Sequence, residues 1–131
     1  MRAWISLLCL LCGLAGGCRA EESLPPCRTV TAIRVVYESG DYRFAREYRS
    51  DEKLQELLWY LRRLEPWGTL REEPAAEGGD YYLILAYSDG TSCLYRQRGE
   101  EYLCREGGQW QTINPERGAE LSFLLATLPG D

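Results

Sequence analysis

Cysteine, carboxylate and tyrosine are the side chains whose placement in this chain could do chemistry. There are six cysteines in 131 residues and no histidine. Without histidine the usual general base, the Ser-His and Cys-His nucleophile systems and most zinc sites are excluded. Cys27, Cys93 and Cys104 have no C-x-x-C spacing, so neither a redox pair nor a zinc knuckle is indicated. What remains for thiols is disulfide formation, favoured by an exported location, or else two half-buried free thiols that behave as small apolar residues. Asp89-Gly90 and Arg98-Gly99 read as two-residue hairpin turns. In that register Ala86 faces Cys93, Tyr95 faces Tyr102 and Cys93 faces Cys104, and opposed residues lie within disulfide range. The expectation is a Cys93–Cys104 disulfide with Cys27 as the spare thiol. The competing pairing joins Cys27 to Cys93 or Cys104.

The carboxylates are less specific. Glu72-Glu73 and Glu100-Glu101 fall on loops and turns, where a small domain offers no deep cleft for a glycosidase pair. Glu72, Glu73, Glu77 and Asp80 lack the spacing of a calcium loop. Gly78-Gly79 and Gly107-Gly108 are turn glycines without a phosphate-loop pattern. No catalytic residue, metal ligand or cofactor site is expected. Tyrosine is the remaining candidate. Alternation places Leu83, Leu85, Leu94 and Leu103 on one face of a meander, with Tyr82, Ile84, Ala86, Cys93, Tyr95, Tyr102 and Cys104 on the other. Tyr82, Tyr95 and Tyr102 then form a candidate binding face, because tyrosine beside apolar residues is the composition of recognition surfaces. The alternative is that these rings cover the sheet or pack under the Glu65–Asp80 loop.

The elements that hold these residues follow from periodicity. Residues 29–38 alternate, with Thr31, Ile33, Val35 and Tyr37 on one side; Tyr42–Tyr48 returns after a Ser39-Gly40 turn. Ser50 or Asp51 begins a helix whose Leu54, Leu57, Leu58, Leu61 and Leu64 form an apolar stripe, stopped by Pro66 and Gly68. Glu65–Asp80 reads as a loop, with Trp67 turned back on the helix. The meander Tyr81–Ile113 follows, and Asn114-Pro115 opens a second helix striped by Leu121, Leu124, Leu125 and Leu128. The order ββαβββ(β)α predicts an α+β two-layer sandwich, an antiparallel sheet with two helices on one face.

The amino terminus, MRAWISLLCLLCGLAGGC, has one arginine, an apolar run from Ala3 to Leu14 and then small residues. That is the pattern of a secretory signal. The run is shorter than the roughly 20 residues of a membrane-spanning helix. Leu14-Ala15-Gly16-Gly17-Cys18 resembles the lipobox of bacterial lipoproteins, with Ala15 standing where a larger aliphatic residue is preferred. The resemblance covers this segment only. It implies lipidation of Cys18, cleavage before it, and an extracytoplasmic protein held to the cell membrane by lipid. The rival is cleavage after Cys18-Arg19-Ala20, giving a freely secreted protein. The domain reading is a signal peptide at 1–17, a lipidated tether at 18–26 and a single small α+β domain at 27–131.

Net charge is −5, which argues against a nucleic-acid partner. It also argues against electrostatic binding to anionic lipid. The functional expectation is a non-enzymatic, membrane-anchored lipoprotein whose domain binds a protein or other partner of the cell envelope. The alternatives are an accessory subunit of an envelope complex and a freely secreted binding or inhibitor protein.

Overall fold

The computed structural model describes residues 29–76 and 78–131. The signal segment, Cys18 with its lipobox, the tether, Cys27 and Glu77 lie outside the described residues.

Strands β1 (Val30–Ser39) and β2 (Tyr42–Tyr48) form the first hairpin, with Tyr37 opposite Phe44 and Ile33 opposite Tyr48. Alternation turns Ile33, Val35 and Tyr48 inward, and all three are fully buried. Helix α1 (Asp51–Arg62) buries Leu54, Leu57 and Leu58, and Leu64 just beyond its end is buried with them. Its cap is unusual: the Ser50 side chain makes no cap hydrogen bond. The Asp131 carboxylate instead accepts from the backbone N–H groups of Arg49 and Ser50 and pairs with Lys53 at 3.2 Å. A carboxylate at a helix amino terminus is favoured by the helix dipole.

The backbone hydrogen bonds from Arg49 and Ser50 pull the Asp131 pKa down to about 2. A folded pKa below the unfolded value means stability present above the ordinary carboxylate pKa and lost as pH falls towards the lowered one. Asp131→Ala is therefore expected to melt at a lower temperature than the parent at pH 7. The two melting curves should converge as the pH is taken from about 4 down to about 2. Thermal unfolding followed by circular dichroism across that range checks this; a constant difference would show that the carboxylate charge is not involved.

Four residues of the expected Glu65–Asp80 loop are strand β3 (Pro66–Thr69), which pairs with the last strand: Pro66 opposite Ile113, Gly68 opposite Thr112, Thr69 opposite Gln111. All four residues are exposed, so no apolar alternation announces them. Backbone pairing alone makes the strand. Trp67 is 63 % exposed and does not fold back on α1. Strands β4 (Asp80–Tyr87), β5 (Ser92–Arg98), β6 (Tyr102–Arg105) and β7 (Trp110–Ile113) form the meander. The result is one seven-stranded antiparallel sheet in the order β2-β1-β4-β5-β6-β7-β3.

Helix α2 (Pro115–Thr127) starts as expected: the Asn114 side chain accepts from the Glu116 N–H at 2.9 Å, and proline occupies the first turn. Leu121 and Leu125 are fully buried. From β2, Arg46 donates to the Leu125 carbonyl at 2.9 Å and Tyr48 Oη to the Leu128 carbonyl at 2.7 Å. Both satisfy carbonyls at the carboxyl end of α2, which no turn of the helix itself reaches. The inward residues of both helices join Ile33, Val35, Leu83, Leu85, Leu103 and Ile113 in one core. This is the α+β two-layer sandwich expected from the element order.

The register of the meander differs from expectation. The β4–β5 turn has three residues, Ser88-Asp89-Gly90: Tyr87 N–H donates to Thr91 O and Gly90 N–H to Tyr87 O. Gly90 takes φ +89°, the left-handed residue that a three-residue hairpin needs. Leu85 then faces Cys93 and Leu83 faces Tyr95. The β5–β6 turn also has three residues, with Arg98 opposite Tyr102, so Arg96 faces Cys104. An odd loop in place of an even one reverses which side chains share a face. Cys93 therefore joins Leu83 and Leu85 on the helix-covered face, while Cys104 lies on the other. The expected Cys93–Cys104 disulfide is not formed. Both are free thiols, Cys93 buried and Cys104 partly so. Leu94 likewise moves to the outer face and Tyr95 to the inner one.

Candidate binding cleft

The helices leave part of the inner sheet face open. A cleft of about 480 Å³ lies between the carboxyl-terminal half of α1 and the sheet. Leu58 and Leu61 of α1, then Leu64 and Pro66, form one wall; Leu85, Tyr95 and Leu103 from three successive strands form the other. Arg62, Arg105 and Gln111 supply its polar groups. The volume falls within the range of small-molecule sites, as does the pattern of apolar walls with a few polar groups.

The charge of the cleft is one-sided. Two guanidinium groups line it and no carboxylate does. Of the nine other described arginines, six are paired with an acid: Arg43 with Glu38, Arg49 with Glu47, Arg63 with Glu120, Arg96 and Arg98 with Asp80, Arg117 with Glu65. Arg46 bonds backbone carbonyls instead. Among the described residues neither Arg62 nor Arg105 forms an ion pair. Arg105 lies over the Tyr95 ring at 5.9 Å, and the adjacent Cys93 side chain raises its pKa, so it is charged at every physiological pH.

The outer sheet face carries a different construction. Asp80, 8 % exposed, accepts from Arg98 Nε at 2.9 Å and Nη2 at 2.8 Å, and from Arg96 Nη2 at 2.8 Å. Burial pushes the Asp80 pKa up, but the hydrogen bonds from Arg98 and Arg96 outweigh it and hold the carboxyl below its ordinary value. Arg98, 5 % exposed, also reaches Glu73 at 2.9 Å and the Pro74 carbonyl at 2.6 Å. Trp110 lies beneath both guanidinium groups, at 4.7 Å from Arg98 and 5.3 Å from Arg96. The network thus pins the segment after β3 across the outer face. Beside it a groove of about 460 Å³ is lined by Val36, Tyr82, Ile84 and Leu94, with Glu38, Arg43 and Glu106 at its border. Glu38 and Arg43 pair with each other at 2.9 Å, which leaves that groove without two of its three charges.

The three tyrosines of the expected binding face are not brought together. Tyr82 and Tyr102 stand on the outer face, Tyr82 with its ring 5.0 Å from Arg96, and Tyr95 lines the cleft on the inner face. The reversed register is the cause. Sequence reasoning missed the Asp80–Arg98 pair for the same reason: the three-residue Ser88-Asp89-Gly90 turn is needed to set the two side by side. Arg62 was visible as a helix-end cation, but nothing in the sequence marks Arg105 as its neighbour across a cleft. Among the described residues no three Cys, Asp or Glu side chains gather as a metal site, and no helix is long and apolar enough to cross a membrane. Compared with known protein families, curated proteins and solved structures, the chain matches none.

Proposed function

We propose that this protein is a non-enzymatic binding protein of the extracytoplasmic membrane face, tethered through a lipid on Cys18, and that its ligand seat is the cleft between α1 and the sheet. The observation that carries the reading is the cleft: an apolar, ligand-sized opening in the wall of the two-layer core. The lipobox-like Gly16-Gly17-Cys18 supports the tether, and the lack of histidine supports a binding role over a catalytic one. The acidic chain supports a partner other than nucleic acid.

The cleft is tested with a neutral apolar dye. Nile red is expected to bind the full chain saturably at one site, with the fluorescence gain lost in Leu61→Trp, where the larger ring fills the cleft. Non-saturating fluorescence, or saturation untouched by the filling substitution, would remove the cleft as the seat. The tether is tested separately. Cys18→Ala is expected to move the protein from the membrane fraction to the soluble one or to halt its maturation. A mature amino terminus at Glu21 without lipid, found by mass spectrometry, would replace the tethered reading with secretion.

A further inference from the structure

We infer that the cleft takes a single-chain amphiphile with a carboxylate head, of the fatty-acid class, with its chain against the leucine walls and its head between Arg62 and Arg105. The inference rests on the cleft being the ligand seat and names what sits there. Leu58, Leu61 and Leu103 offer aliphatic walls without a buried polar group among them, which suits a saturated chain. The opening has the volume of one small-molecule site, which favours one chain over a two-chain lipid.

The head follows from charge. In a chain of net charge −5 an anion is repelled by the whole and needs a local reason to bind. Arg62 and Arg105 supply it. Neither forms an ion pair among the described residues, and no acid shares the lining with them. A guanidinium presents parallel N–H donors that match the two oxygens of a carboxylate. Arg62 and Arg105 are both exposed, so a bound head keeps part of its hydration and the cost of desolvating the pair stays small.

The test is calorimetric titration of the full chain at neutral pH with decanoate, 1-decanol and decyltrimethylammonium, each below its micelle concentration. Decanoate is expected to bind at one site at least about tenfold tighter than decanol, the scale of one charge-assisted pair, with the cation weakest. From hexanoate to decanoate, affinity should rise roughly fourfold per added methylene. In R62Q, R105Q and the double substitution, decanoate should fall towards the affinity of decanol while decanol binding is retained. Equal binding of decanoate and decanol, or preference for the cation, would overturn the carboxylate inference and leave the cleft as a seat for another ligand. Binding of none of the three would overturn the seat itself.

Discussion

Asp80→Ala is expected to destabilise the domain by about 3–5 kcal/mol, the cost of leaving a buried charge without its partner. Arg98 is 5 % exposed, and two of its nitrogens bond the Asp80 carboxylate. Without that carboxylate its remaining partners are the solvent-facing Glu73 and the Pro74 carbonyl. For a small domain whose whole stability is about 5–15 kcal/mol, a loss of this size is a large fraction. The same substitution should loosen the segment after β3, because Asp80 fixes the Arg98 guanidinium that bonds Glu73 and the Pro74 carbonyl. Urea unfolding and limited proteolysis around Glu73 measure the two effects. The pH dependence has a definite sign. Arg98 and Arg96 lower the Asp80 pKa, so the contribution is complete above the ordinary carboxylate value and lost as pH falls through the lowered one. A loss below about 1 kcal/mol in Asp80→Ala would place the pair among surface ion pairs and show that burial does not amplify it.

Gly118→Ala is expected to destabilise by about 1–5 kcal/mol, against the sign that helix propensity gives. Gly118 lies within α2, where alanine normally gains about 1 kcal/mol over glycine. Here an added Cβ would stand 2.0 Å from the Glu100 carbonyl oxygen and 2.8 Å from its carbon. Both are backbone atoms of the β5–β6 turn, so no side chain can rotate away. Forcing the helix off the turn costs about 1–3 kcal/mol by overpacking. It also strains the bond from Gln97 Nε2 to the Gly118 carbonyl, 3.0 Å long. Gln97 is fully buried, and its Oε1 has no partner among the described residues. Losing its other bond adds roughly 1–3 kcal/mol. Guanidinium unfolding of the substituted and parent proteins measures the difference. An unchanged or raised midpoint would mean that α2 can slide from the turn at little cost and that the contact does not position it.

What the sequence determined by itself was everything that depends on local pattern. Alternating Ile33 and Val35, the leucine stripes of the two helices, and the Asn114-Pro115 start are each short-range signals. They produced the element order and, through it, the α+β sandwich, because a striped helix and a one-sided sheet can bury their apolar faces only against each other. The meander could be recognised by its turn glycines, and its floor residues Leu83, Leu85 and Leu103 were assigned to the correct face. What the tertiary structure decided was whatever hung on one residue of turn length. Ser88-Asp89-Gly90 and Gly99–Glu101 serve equally well as two-residue or three-residue turns by composition, and only the packed sheet selects between them. That choice reverses the side-chain faces, since strand periodicity is two. It separated Cys93 from Cys104, divided Tyr95 from Tyr82 and Tyr102, and set Asp80 beside Arg98. Strand β3 was invisible for a related reason: an exposed edge strand is made by the backbone of its neighbour and leaves no apolar pattern of its own. The cleft was the least legible feature. Its walls are ordinary core leucines, and its emptiness is a property of where α1 ends relative to the sheet, which no stretch of sequence encodes alone.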